Sequence, residues 1–276
     1  MEFIDKIGAA LIVEYLPQHI DFLVENQRDL EIQDPAIPNF PDIYSNKFIK
    51  QINGILKNHK GRRGIHGPFI GFSLEGFIEP EIGKAIKNRM IQSIHFASEI
   101  GAEYMVIHSP FGYFGTNPFS TVNSMMNPLN EFMFAKQLIE EIIQEAEKVK
   151  CVIVVENIRD KNPELLKNFV ASFKSEYIRM SLDIGHAFIT QKEVGPTPDQ
   201  WILHSGELLD HIHIQDTDGE TDRHWAPGLG NINWFAFFDA LKTLEHMPHM
   251  VLELKDYTKI ESGFSHLQTV WNKNFN

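Results

Sequence analysis

The chain has 276 residues, of which 43% are hydrophobic and 22% charged, with a formal net charge of -12. Those values exclude global disorder and fibrous architectures, and they weigh against a broadly basic nucleic-acid surface while leaving a local basic groove open. The single cysteine, Cys151, lies in an apolar run and excludes an internal disulfide framework and any thiolate zinc cluster, so a bound metal must be held by imidazole and carboxylate.

No apolar stretch approaches the ~20 residues of a membrane span. The opening Met-Glu-Phe-Ile-Asp-Lys lacks the layout of a signal peptide, so a cytoplasmic protein is expected. Taken in chain order, hydrophobic periodicity predicts a strand near 7–13, a helix near 17–26, a strand near 29–33 and a helix near 46–60. Strands near 62–66, 103–108 and 151–156 then alternate with helices near 80–100, 131–149 and 163–174. The last strands fall near 178–183, 210–215 and 249–254, with helices near 198–208, 233–246 and 260–272. Within 131–150, Phe132, Ala135, Leu138, Ile139, Ile142, Ala146 and Val149 recur at spacings of three and four, which makes this the clearest amphipathic helix.

Eight strand-then-helix units without a Pro/Gly/Ser-rich linker predict one domain over 1–276, a closed α/β (β/α)8 barrel of the TIM type. An open doubly wound sheet would need a Gly-rich turn after the first strand, and Val13-Glu14-Tyr15-Leu16-Pro17 fills that place. The connection 109–130 is too long for a plain turn and is expected to be an active-site loop or lid. Segment 35–45, with three prolines, is expected to be a second irregular loop above the barrel mouth.

Functional groups of such a barrel collect where strands end. Strand three ends in Ile65-His66, strand four in Ile107-His108 and strand five in Val155-Glu156. Strand six ends in Leu182-Asp183-Ile184-Gly185-His186. Strand seven carries His211-Ile212-His213 and is followed by Asp222-Arg223-His224, while strand eight carries Leu252-Glu253. Each such residue alone is more often a hydrogen-bonded structural group than a ligand, but the joint pattern changes that. Carboxylates and imidazoles gathered in one mouth leave desolvation and repulsion that bound cations offset, and Zn²⁺ or Mn²⁺ takes these donors. His211 and His213 share a face of their strand; His213, nearer the mouth, is expected to be the ligand, with His211 packed or hydrogen-bonded below it. Gly185 is expected to let the backbone pass tightly. Phe111, Phe114, Phe119, Met125 and Met126 are expected to pack the loop, and the cluster Lys57, Lys60, Arg62 and Arg63 to be a solvated face at the opposite end.

With these strand ends in place, the chain resembles the xylose isomerase-like TIM-barrel superfamily, which contains sugar isomerases and epimerases together with endonuclease IV. The resemblance runs from about residue 29 to 255. Glu156, Asp183, His213 and Glu253 are similar to the four-ligand site of the isomerases and epimerases. His66, His108, His186, Asp222 and His224 match the further ligands of the three-zinc cluster in endonuclease IV. The stretch from Asp222 to Ile232 is similar to that family's loop after strand seven.

The resemblance implies a divalent cofactor, zinc or manganese, with one to three ions, and two readings of function. In the first, a sugar or sugar-phosphate isomerase or epimerase moves a proton between Glu156 and Glu253, with His186 on the substrate hydroxyls or phosphate. In the second, a multinuclear zinc phosphodiesterase acts on abasic DNA. The complete ligand set favours the second. The loop Gln33–Asp42 favours the first, because it offers no cation and two carboxylates to a phosphate, although Phe69 and Ile70 would suit a duplex wedge. The expected partner is therefore a small sugar or sugar-phosphate, with nucleic acid the second choice and no membrane. A non-catalytic binding barrel would predict a disabled base, whereas Glu156 and Glu253 are both intact.

Overall fold

A computed structural model of the chain describes residues 3–37, 44–69, 80–111 and 128–275. The strands are β1 (Gly8–Leu11), β2 (Leu30–Ile32), β3 (Arg63–His66), β4 (Tyr104–His108), β5 (Val152–Glu156), β6 (Ile178–Asp183), β7 (Leu209–Ile214) and β8 (His249–Leu252). Each pairs in parallel with the next, and β8 returns to β1, so the sheet closes into a barrel. Closure rules out the open doubly wound sheet.

The connecting helices are α1 (Leu16–Glu25), α2 (Asn46–Ile55), α3 (Pro80–Glu99), α4 (Pro128–Val149) and α5 (Pro163–Ser172). After them come α6 (Ile184–Gln191), α7 (Pro198–Ser205), α8 (Trp234–Leu241) and α9 (Ile260–Phe275). Local chemistry fixes several starts: Ser45 Oγ accepts from Phe48 N to cap α2, and Asn162 caps α5 with Pro163 following it. Helix α6 lies outside the sequence expectation. It is eight residues long and contains a glycine, too short for a periodic stripe, and it forms because Asp183 caps it by accepting from His186 N.

Strand alternation divides the core in two. Met105, Ile107, Ile153 and Val155 join the apolar layer packed against the helices, while Tyr104, Val106 and Val154 form a separate cluster inside the barrel. Period-two alternation then aligns His108 and Glu156 with the inner set and carries them to the mouth. Gly64 leaves room for this filling, because a Cβ there would lie 2.0 Å from the Tyr104 ring.

The expected lid at 109–130 falls largely outside the described residues, as do Ile70, Phe114, Phe119, Met125, Met126 and 38–43 of the proline-rich loop. Phe111 packs as expected, edge-on to Phe169 at 4.9 Å. The basic cluster at the far end needs correction. Arg62 is bound to buried Asp29, and Arg63 donates to the carbonyls of Ile100 and Leu56, so neither is simply a solvated charge. Cys151 is buried among apolar groups, which pushes its thiol up to about 12 and leaves it unreactive.

Candidate metal centre

The nine residues singled out at the strand ends converge on one region. His66 Nε2 lies 3.6 Å from Glu156 Oε2, and His186 Nδ1 lies 3.3 Å from Glu156 Oε1. His213 Nδ1 stands between two carboxylates, 3.5 Å from Glu156 Oε2 and 3.6 Å from Glu253 Oε2. Asp222 bridges two imidazoles, 3.6 Å from His186 Nε2 and 2.8 Å from His224 Nε2. His108 completes one corner with its ring edge-on to His66 at 5.2 Å. Two sets, His66–His108–Glu156 and Glu156–Asp183–His213, each bring their donor atoms within 4.8 Å of one another.

The ring nitrogens are oriented by the backbone. His66 Nδ1 donates to Gly67 O at 2.8 Å, His186 Nδ1 to Asn157 O at 3.0 Å and His224 Nδ1 to Glu253 O at 3.0 Å. Each bond orients the ring so that Nε2 faces the carboxylates, the usual way a histidine ligand is set. His213 is turned the other way: Nε2 donates to Glu31 Oε1 at 2.9 Å, and Nδ1 faces the cluster.

Charges in this space are strongly coupled. Burial opposes ionisation of Glu156, yet His213, His186 and His66 hold its carboxyl well below the usual range. Burial also opposes protonation of His213 and His186, and their carboxylate neighbours outweigh it and hold both well above an ordinary imidazole. For His224 the opposition of burial is overcome mainly by Asp222, which raises it to about 9. Asp183 is pushed up to about 6 by burial, aided by Glu156, Asp222 and Glu253 and opposed by His186. His108 is lowered to about 3 by burial and so presents a neutral imidazole.

These donors fit a divalent ion. Glu156 Oε2 and His213 Nδ1 are buried and lack a hydrogen-bond partner among the described residues, although they lie 3.5 Å apart. Buried polar atoms are nearly always satisfied, and a cation between carboxylate and imidazole would satisfy both.

Three residues that hold the centre together were not among the expected site residues. Glu31 on β2 is fully buried and contacts both His213 and His211, the latter at 3.2 Å. Burial resists its charge, but the two histidines hold its carboxyl well below the usual range. Gln215 donates to Asp183 Oδ2 at 3.1 Å and Asp222 Oδ1 at 2.8 Å, and accepts from His224 N at 2.8 Å. Asn157 Oδ1 accepts from Asp183 N at 2.8 Å, fastening the ends of β5 and β6. A Cβ on Gly185 would fall 2.5 Å from Gln215 Cδ, so the glycine lets the backbone pass tightly against this amide. His211 lies below His213 as expected, its Nδ1 2.7 Å from Ser181 Oγ.

The strand-two loop also differs from expectation. Asp34 points inward and accepts from Val13 N at 2.8 Å, so it does not confront a ligand; burial pushes it up to about 6. Gln33 turns to the centre and donates to Glu253 Oε1 at 2.9 Å and Glu31 Oε1 at 3.0 Å. Phe69 is stacked on His108 with ring centroids 4.2 Å apart.

The barrel and its ring of histidines and carboxylates define a class of protein, and comparison with known proteins agrees. Residues 20–273 match the family model described as xylose isomerase-like TIM barrel. The chain belongs to that family. It is 24% identical over 214 residues to the uncharacterized protein MJ1614 of Methanocaldococcus jannaschii, covering 75% of this chain and 76% of that one. Among solved structures it is similar to a D-tagatose 3-epimerase-like protein, with a TM-score of 0.79, 22% identity and 97% of each chain covered. It is also similar to the TTHB071 protein of Thermus thermophilus soaked with zinc chloride, with a TM-score of 0.75 and 20% identity, covering 98% of this chain and 100% of that one. At such identities the structural likeness establishes the fold.

Proposed function

We propose that this protein is a divalent-metal-dependent carbohydrate isomerase or epimerase. The observation that carries the reading is the pair Glu156 and Glu253 on either side of His213 Nδ1, at 3.5 and 3.6 Å, at the mouth of the barrel. The likeness to an epimerase-like protein and to a zinc-soaked barrel supports it. Glu156, Asp183, His213 and Glu253 would hold the principal ion, zinc or manganese. In the multinuclear reading below, His66 and His108 would hold a second ion with Glu156, and His186, Asp222 and His224 a third. A bound cation supplies Lewis-acid polarisation of substrate oxygens.

The chain's own groups account for the proton transfer. One of Glu156 and Glu253 would remove the proton from the reacting carbon, and the other, or a bound water, would return one. Gln33, by donating to Glu253 Oε1, fixes that carboxylate's orientation. His186, 15% exposed and beside Glu156, faces the open side of the centre, where it meets substrate hydroxyls.

A second reading, a multinuclear zinc phosphodiesterase acting on abasic DNA, is favoured by one observation. His66 and His108 come within reach of Glu156, and His186 and His224 flank Asp222, as a three-ion site requires. Exchange of a carbon-bound substrate hydrogen with deuterated water, followed by NMR, separates the two. The isomerase reading predicts exchange that is lost in Glu253→Gln; nicking of an abasic duplex with no exchange on any sugar would replace it with the second reading.

A further inference from the structure

Below the mouth, the strands bury three polar side chains, Glu31, Ser181 and His211, in a barrel interior that otherwise holds the cluster of Tyr104, Val106 and Val154. Polar groups in such a place cost stability unless they are partnered, and apolar side chains of similar volume often fill it as well or better. Stability of the fold alone therefore does not account for them, and none of the three is a candidate ligand of the mouth ion.

They form a chain. Ser181 Oγ lies 2.7 Å from His211 Nδ1, His211 Nε2 lies 3.2 Å from Glu31 Oε2, and Glu31 Oε1 lies 2.9 Å from His213 Nε2. Glu31 Oε2 and His211 Nε2 have no hydrogen-bond partner elsewhere among the described residues, so each faces the other alone. An ionised carboxylate only accepts, so the ring proton of His211 sits on Nε2 and Nδ1 accepts from the Ser181 hydroxyl. Two rings hold the imidazole in place, Tyr104 at 4.8 Å and His213 at 4.6 Å between centroids. Strands β6 and β7 pair as Met180 with Leu209 and next as Ser181 with His211, passing over one residue of β7. That irregularity brings Ser181 level with His211, as bulges re-aim side chains next to active sites.

The far end of the chain is the mouth. His66, His186 and His224 are each set by a backbone carbonyl on Nδ1, whereas His213 depends on the Glu31 side chain for which nitrogen faces the cluster. The same Glu31 Oε1 accepts from Gln33 Nε2 at 3.0 Å, and that amide also donates to Glu253 Oε1 at 2.9 Å. A swing of the Glu31 carboxylate would release His213 and Glu253 together, and His211 is what meets its other oxygen.

We propose that Ser181, His211 and Glu31 are positioning residues that fix, from beneath the mouth, both the nitrogen His213 presents to the ion and the orientation of Glu253. The His213 half rests on the metal centre, and the Glu253 half on the isomerase reading above.

The test uses the full chain loaded with zinc. Ring-nitrogen NMR of the parent should show His213 protonated on Nε2 and metal-bound through Nδ1, the signals being identified by their loss in His213→Gln. His211→Phe keeps a ring against Tyr104 but removes the donor to Glu31. It should weaken zinc binding about 10–100-fold in competition with a chelator and shift the His213 ring signals. It should also slow kcat for substrate hydrogen exchange about ten-fold or more, with KM changed by less than about two-fold. His211→Gln returns an N–H toward Glu31 and should recover most of the affinity, while Ser181→Ala should lose about three-fold. Unchanged affinity and ring signals in His211→Phe and Ser181→Ala would overturn the inference, as would a loss in His211→Gln as large as in His211→Phe. Should His211→Phe fail to fold, Ser181→Ala and His211→Gln decide it by the same readouts. An unmoved kcat in a parent that exchanges sugar would overturn the Glu253 half and leave the carbohydrate reading standing. If zinc affinity and ring signals respond but no sugar exchanges, the His213 half stands and the carbohydrate reading falls with the Glu253 half.

Discussion

Both ends of the barrel bury charge, but they treat it differently. At the N-terminal end, Asp29 receives Arg62 Nε at 2.8 Å and Nη2 at 2.6 Å, and also accepts from Met250 N at 2.9 Å. Arg62 spends further donors on the carbonyls of Met247 and Pro248. At the mouth, carboxylates and imidazoles crowd together with Glu156 Oε2 and His213 Nδ1 left unpartnered among the described residues. A buried charge with its valence filled belongs to the fold, whereas one left open at a mouth belongs to a ligand.

The difference should appear as a split between activity and stability. The largest effect is expected from Glu253→Gln, which should slow substrate hydrogen exchange by about 10²–10⁴-fold. The same variant, freed of metal by chelator, should melt within a few degrees of the parent; a collapse in melting temperature would show that the mouth is structural after all. Asp29→Ala should do the reverse. Removing the buried carboxylate leaves Met250 N and a partly exposed Arg62 guanidinium without it and should cost roughly 1–3 kcal/mol in denaturant unfolding. A loss below about 1 kcal/mol would remove the contrast between the two ends.

A third test uses Asp34, which is buried but outside the ligand set. Burial raises its carboxyl from 3.8 to about 6, so the folded state binds the extra proton. Stability from this group is fully present below pH 3.8 and is lost as pH rises through 6. Asp34→Asn should therefore become more stable relative to the parent by up to about 3 kcal/mol between pH 4 and 7. A pH-independent difference in unfolding free energy would contradict that assignment. The smallest effect is expected from Glu31→Gln. Losing the carboxylate charge that faces His213 Nε2 should weaken metal binding about 10–100-fold while leaving the fold intact. Unchanged affinity would make Glu31 a packing residue only.

Much of the barrel was legible because its strands are short, largely apolar runs separated by amphipathic segments, and parallel βαβ units have few ways to close. The strand ends were legible too, because a His, Asp or Glu immediately after an apolar run stands out. Glu31 did not, since it sits in the middle of Leu30-Glu31-Ile32, a three-residue strand, and not at a strand's end. An inward carboxylate between two outward aliphatics was the available signal. Gln33 and Glu253 meet across 220 positions, and Gln215 joins Asp183 to Asp222 through a loop, so both depend on barrel closure. Asp34 shows the converse: an acidic residue in a proline-rich loop suggests exposure, and only the neighbouring Val13 N–H reveals why it turns inward.

The most direct test of the mouth as a metal centre is calorimetric titration of the chelator-stripped protein with Mn²⁺, alongside Glu156→Ala and Asp29→Asn. Saturable binding of at least one ion per chain is expected in the parent and in Asp29→Asn, and its loss in Glu156→Ala. Absence of saturable binding in the parent, or binding indifferent to Glu156, would contradict it.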